Sequence, residues 1–126
     1  MKVLSVRQPF AWAIMHAGKS TENRSWRTTY RGPLLIHASL RPDREGRAFI
    51  AGLGIDVPED LPRGVILGSV VLADVVDDSD SPWAEPGQRH WLLRDPQPWP
   101  EPVAAQGDLG LWDWGLPAGL AGRLAG

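Results

Sequence analysis

The chain has 126 residues, 43% of them hydrophobic and 22% charged, with a formal net charge of −2, which suits one domain with a real apolar core. It contains no cysteine, which excludes a disulfide framework, a cysteine zinc site and a thiol nucleophile. No apolar run approaches the ~18–20 residues of a membrane span, and the start lacks the apolar stretch and cleavage site of a signal peptide, so no membrane association and a cytoplasmic location are expected.

In chain order, Lys2 to Val6 reads as a short strand and Pro9 to Ala17 as a short helix. Pro9 suits the first turn, where its missing N–H costs nothing, and Gly18 suits a left-handed stop. Ser20 to Arg27 and Pro33 to Ser39 read as strands around a turn at Tyr30–Pro33. A second helix is expected from Pro42 to Leu53, ended by Gly54. Val65 to Val76 (VILGSVVLADVV) gives the strongest strand signal, apolar on both parities as in a strand buried on both faces. Gly68 marks a bend or bulge within it. Asp77 to Gln88 reads as an acidic loop and Arg89 to Leu93 as a short strand. Asp95 to Pro102 holds four prolines, so it must be irregular or an edge. Val103–Ala105 and Leu109–Trp114 read as closing strands, and residues 115–126 as a weak helix or frayed tail. About six short strands with two to three short helices predict a small α+β domain over residues 1–114. Its expected architecture is a closed or nearly closed β-barrel plugged by helices, since closure removes exposed edges.

Charge is unevenly spread along the chain. Residues 1–47 carry nine Lys/Arg against three acids, and residues 48–126 carry four against twelve. Local patches set binding rather than the total, although segregated charge also arises as ordinary solvated surface.

The candidate chemistry gathers between Gly18 and Ser39. Along an extended Ser20–Trp26 segment alternate side chains share a face, so Glu22, Arg24 and Trp26 are expected in one row. Lys19 is expected at its mouth, and Thr21, Asn23 and Ser25 on the other side. His37 and Ser39 share a parity opposite the core set Leu34, Ile36 and Ala38. A hairpin between the two strands would bring them to the Glu22 row. An aromatic face stacks a base, Arg grips phosphate or stacks, and Lys adds a cation. Plainer roles exist for each: Glu22 and Arg24 as a structural ion pair, Trp26 as core, His37 as a hydrogen-bonded structural histidine. Arg7 and Gln8, between the first strand and helix, either cap backbone groups or line the same cleft, and the helix start near Pro9 is a modest anion site. The acid run Asp77, Asp78, Asp80 lacks the glycine and closing Glu of a calcium loop. No metal site and no cofactor are expected, and there is no phosphate-binding glycine loop or nucleophile elbow.

Six blocks, SVRQPFAWAI, GKSTENRSW, RGPLLIHAS, GSVVLADVV, HWLL and GDLGLWDW, spanning Leu4 to Trp114, make the chain resemble the ASCH domain family in its small stand-alone bacterial or phage form. The resemblance implies a PUA-like β-barrel that holds RNA or another nucleic acid in a cleft between the barrel and the early helix. It also implies that some members are enzymes, an amidohydrolase of N(4)-acetylcytidine and a ribonuclease. Lys19 matches the amidohydrolase lysine, whereas the hydroxyl nucleophile expected three positions later falls on Glu22. Thr21 is one position off and faces the other way.

Three classes of function follow. The first is a binding module for RNA or a modified nucleotide, with Trp26 stacking and Lys19, Arg24 and Arg31 on phosphates. The second is a metal-independent hydrolase or ribonuclease using Lys19 and Glu22 as acid and base with His37 or Ser39 assisting. The third is a protein-interaction domain, which seven tryptophans in this length keep open. A monomer or weak dimer is expected, with RNA or a nucleotide as partner.

Overall fold

The structure is a computed structural model and describes residues 1–115. It contains strands β1 (Lys2–Val6), β2 (Thr21–Arg24), β3 (Gly32–Ala38), β4 (Val65–Val76), β5 (Arg89–Ala104) and β6 (Leu111–Asp113), with helices α1 (Phe10–His16) and α2 (Gly46–Gly52). All six strands join one sheet in the order β2-β5-β4-β3-β1-β6. It curls into a half-barrel, and the two short helices complete the PUA-like α+β fold. The 116–126 part of the expected tail lies outside the described residues.

The elements form where local chemistry favours them. Gly18 adopts φ 73° and ends α1, the left-handed conformation that glycine accepts without a Cβ penalty. Helix α2 is shorter than the sequence suggests. Residues 43–45 instead make a turn in which Asp43 Oδ1 accepts from Glu45 N at 2.9 Å and Asp43 O accepts from Gly46 N. A carboxylate that satisfies local backbone donors competes with the helix in this way.

Pairing is where the structure departs furthest from expectation. Strands β2 and β3 form no hairpin. β2 pairs antiparallel with β5, while β3 pairs parallel with β1 and antiparallel with β4. The Pro-rich stretch is the second half of β5 and not a break. Its register against β4 jumps between Arg94 and Gln97 and again between Pro98 and Val103. Pro96, Pro100 and Pro102 fall in those irregular stretches, and β2 covers β5 only from Arg89 to Leu92. Prolines are tolerated at bulges and free edges because no ladder N–H is required there.

The main core lies between α1 and the sheet: Leu4, Val6, Ile14, Leu34, Ile36, Leu72 and Trp91 are buried together. The opposite parity of β1 and β3 buries Val3 and Leu35 in a second cluster under Trp99, Trp112 and Trp114. The sheet is thus apolar on both faces, as the unbroken apolar run of β4 predicts. Its end strands β2 and β6 do not pair with each other, so a seam stays open between them. The candidate site occupies that seam.

Candidate functional site

β1 runs past the end of β6, which pairs only with Lys2, Val3 and Leu4. The Val6 carbonyl turns to β3, where it accepts from Ser39 N, so by strand alternation the Ser5 carbonyl faces the open seam. Arg24, at the end of β2, donates to that carbonyl at 2.8 Å. One guanidinium therefore bridges the two sheet edges that backbone pairing leaves apart.

The same guanidinium donates to Glu22 Oε2 at 2.9 Å, and the Lys19 ammonium donates to Glu22 Oε1 at 2.9 Å. Lys19 also donates to the Thr21 carbonyl and lies 5.6 Å from the Phe10 ring centre and 5.9 Å from that of Trp83. These contacts fill the hydrogen-bonding and cation–π capacity of the ammonium. Lys19 is only 4% exposed. It forms part of the floor rather than standing at the rim. Burial pushes the Glu22 carboxyl up, but the charges of Lys19 and Arg24 and their hydrogen bonds outweigh it, so the group sits below its ordinary value. The triad of two cations and one carboxylate carries one net positive charge.

Above this floor opens a cleft of about 1530 Å³, roomier than the ~300–1,000 Å³ common for small-ligand sites. Phe10, Phe49 and Trp83 supply its aromatic wall, with Phe10–Phe49 and Phe49–Trp83 ring centres each 6.1 Å apart. Phe49 is 45% exposed, so a ring face remains open. These three side chains come from α1, α2 and the loop after β4. Asn23 fixes that loop, donating to Trp83 O at 2.8 Å and accepting from Glu85 N at 3.0 Å and from His90 Nδ1 at 2.9 Å.

His37 and Ser39 line the cleft with Arg7, Lys19, Glu22 and Arg24. His37 is buried with both ring nitrogens engaged. Nε2 donates to Ala105 O at 2.8 Å, and Nδ1 shares a hydrogen bond with Ser5 Oγ at 3.0 Å. Ser5 Oγ in turn accepts from Trp112 Nε1 at 3.2 Å. Gly107 seals this chain, since a Cβ there would lie 2.7 Å from the His37 ring. By contrast, Ser39 Oγ and Arg24 Nε are buried with no hydrogen-bond partner among the described residues.

Three residues of the expected site lie elsewhere. β2 ends at Arg24, so alternation does not carry on to Trp26, which packs edge-on against Trp91 with ring centres 4.8 Å apart. Arg31 pairs with Asp74 at 3.3 Å, outside the cleft lining. Gln8 is buried at the β1–α1 junction, its Oε1 accepting from Trp12 N at 2.8 Å and its Nε2 donating to Pro62 O at 2.9 Å. Gln8 thus caps α1, and Phe10 N and Ala11 N turn back to Arg7 O, so the helix start presents no free anion site.

The charge asymmetry of the sequence is largely cancelled in space. Lys2 pairs with Asp113, Arg27 with Asp77 and Arg31 with Asp74, each joining the basic half to the acidic one. Among the described residues the cleft is lined by four cations (Arg7, Lys19, Arg24, Arg41) and five carboxylates (Glu22, Asp43, Glu45, Glu85, Asp108). No group of three His, Asp or Glu suited to a metal occurs among the described residues, and none of their helices is long and apolar enough to cross a membrane.

A curled six-strand sheet with a helix-roofed cleft at its open seam defines the small PUA-like class of α+β domains. The chain belongs to the ASCH domain family, which matches over residues 4–108, a PUA-like fold associated with RNA binding. It is similar to human activating signal cointegrator 1, 27% identical over 130 residues that cover 86% of this chain and 21% of that protein. The mouse protein of the same name is 35% identical over 79 residues, covering 56% and 14%. The chain thus spans about a fifth or less of the length of these curated relatives. Among solved structures, ZmASCH of Zymomonas mobilis, crystallised as a point mutant, superposes with a TM-score of 0.59 at 18% identity over 98% of this chain and 95% of that one.

Proposed function

We propose that this domain is a binding module that holds one nucleobase, carried on RNA or on a modified nucleotide, in the seam cleft. The carrying observation is the half-exposed Phe49 ring, flanked by Phe10 and Trp83, beside a floor of buried Lys19 and Glu22 and part-buried Arg24. A base needs an apolar surface for its face and fixed polar groups for its edge, and this cleft offers both. Ser39 Oγ and Arg24 Nε, buried with no hydrogen-bond partner among the described residues, belong to side chains that line this cleft. The mixed charge of the lining suits a nucleotide-sized ligand better than an extended polyanion track, so affinity falls only gently with salt.

Turnover has less support. A general base needs a suitable pKa, whereas the Glu22 carboxyl is paired with two cations and held below the ordinary value. His37 likewise has both nitrogens engaged.

Tryptophan fluorescence with the four ribonucleosides and with short single-stranded RNAs tests the reading, because Trp83 lies in the wall. A titration that leaves the emission and the Phe10, Phe49 and Trp83 NMR signals unmoved for every probe sinks it. Phe49→Ala should weaken binding by about tenfold or more, since stacking contributes ~1–3 kcal/mol per base, with little change in thermal midpoint.

A further inference from the structure

We infer that the ligand of this cleft bears a phosphate, and that Arg7 and Arg41 hold it at one corner of the rim. The inference rests on the base-binding reading above and adds the place where the phosphate of that ligand is held. It moves phosphate contact away from Lys19 and Arg31, whose charges are already committed to Glu22 and Asp74.

Besides Arg24, five arginines among the described residues are tied down. Arg27 and Arg89 reach Asp77, Arg31 reaches Asp74, Arg47 donates to Glu59 O, and Arg63 donates to Leu40 O. The side chains of Arg7, Arg41, Arg44 and Arg94 make no hydrogen bond or ion pair with any described residue, and of these four only Arg7 and Arg41 line the cleft. Backbone geometry brings them together. Ser39 N donates to Val6 O at 3.0 Å and Asp43 N donates to Gln8 O at 2.8 Å. Arg7 lies between the two acceptors and Arg41 between the two donors, so both sit on segments clamped side by side.

The two guanidiniums on adjoining segments have no counter-charge among the described residues, and an anion held at this corner would supply one. Guanidinium forks match the geometry of phosphate oxygens and grip them in pairs. Asp43 and Glu45 line the same cleft, yet neither forms an ion pair with Arg7 or Arg41, and Asp43 Oδ1 is turned to the Glu45 amide at 2.9 Å. Two residues before Arg7 stands Ser5, whose carbonyl anchors Arg24. The corner is therefore next to the floor where the base edge is placed. A nucleoside monophosphate and an RNA phosphodiester share this chemistry.

The test is calorimetric titration at low salt with the four ribonucleosides, their 5′- and 3′-monophosphates, short single-stranded RNAs and inorganic phosphate. Wild type and the Arg7→Gln/Arg41→Gln double variant are compared. Both positions are exposed, and circular dichroism verifies the fold of the variant. A monophosphate or RNA is expected to bind at least tenfold more tightly than its parent nucleoside, and the double variant should lose that advantage while keeping nucleoside affinity. An advantage confined to RNA identifies the diester as the source, and one seen equally with a monophosphate identifies the phosphate group itself. Nucleoside binding with no gain from phosphate, or a gain that survives in the double variant, overturns the corner and leaves the base reading standing. Inorganic phosphate that binds wild type but not the variant, with no nucleoside binding, supports the corner while the base reading fails. Absence of binding by every probe overturns both.

Discussion

Glu22→Ala should destabilise the domain by about 3–5 kcal/mol, the range for removing one partner of a buried ion pair. The Lys19 side chain is 3% exposed and that of Glu22 10%, so deletion leaves an ammonium with no anion in a place water barely reaches. The Thr21 carbonyl and the rings of Phe10 and Trp83 remain, but none carries a full negative charge. For a chain of this size the loss corresponds to a fall in Tm of about 10 °C or more. Lys19→Met placed in the Glu22→Gln background should recover much of it, because the space around the ammonium is aromatic and a thioether packs there. A double-mutant cycle by urea denaturation measures the coupling. Additive effects of the two substitutions would mean that the triad is not a unit.

The same carboxylate gives a signed pH dependence. Its folded pKa lies below its model value of 4.5, so ionised Glu22 binds its proton more weakly in the native state than in the unfolded chain. Its contribution is fully present above the unfolded pKa and disappears as pH falls through the folded one. Between about pH 7 and pH 5 the wild-type and Glu22→Gln urea midpoints should therefore differ by a constant amount. Below about pH 4.5 the two curves should converge. A gap that widened on acidification would contradict the lowered pKa.

The legible part of this molecule is the part written in neighbouring residues. The apolar parity of Val65–Val76 gave β4 its bounds, and Pro9 with Gly18 bracketed α1 to within a residue at each end. Glu22 and Arg24 do share a face because β2 is extended through both. What was not legible depends on contacts distant in sequence. Nothing in Ser20–Trp26 says that its partner is Arg89–Leu92 rather than the next strand, and the expected hairpin placed His37 opposite the wrong element. Alternation along Ser20–Trp26 puts the aromatic wall at Trp26, next in the row. The structure draws it from Phe10, Phe49 and Trp83, each of which reads as ordinary core or loop in its own segment. The basic first half looked like a binding surface because sequence order cannot show that Lys2, Arg27 and Arg31 meet acids from the second half.

Gly68→Ala should be the most disruptive glycine-to-alanine change among the described residues. A Cβ at this position would lie 2.3 Å from the Gln97 carbonyl oxygen and 2.8 Å from Pro98 Cα. Both obstacles are backbone, so no side-chain rotation relieves them. Position 68 faces Pro98 at the point where the β4–β5 register breaks on both sides, and β5 beyond it leads directly into Ala105 and Gly107. Those residues hold the His37 chain, through the Ala105 carbonyl and the close approach of Gly107. Displacing β5 therefore costs packing and also loosens one wall of the cleft. The expected loss is about 3 kcal/mol, the upper end of the overpacking range, and the His37 ring signals should shift although they lie on another strand. Gly52→Ala is the control: nothing stands within 4 Å of its Cβ position in α2, so it should be neutral or stabilise by up to about 1 kcal/mol. If Gly68→Ala unfolded at the same urea concentration as Gly52→Ala, the close approach of β4 to β5 would not be what curls the sheet around its site.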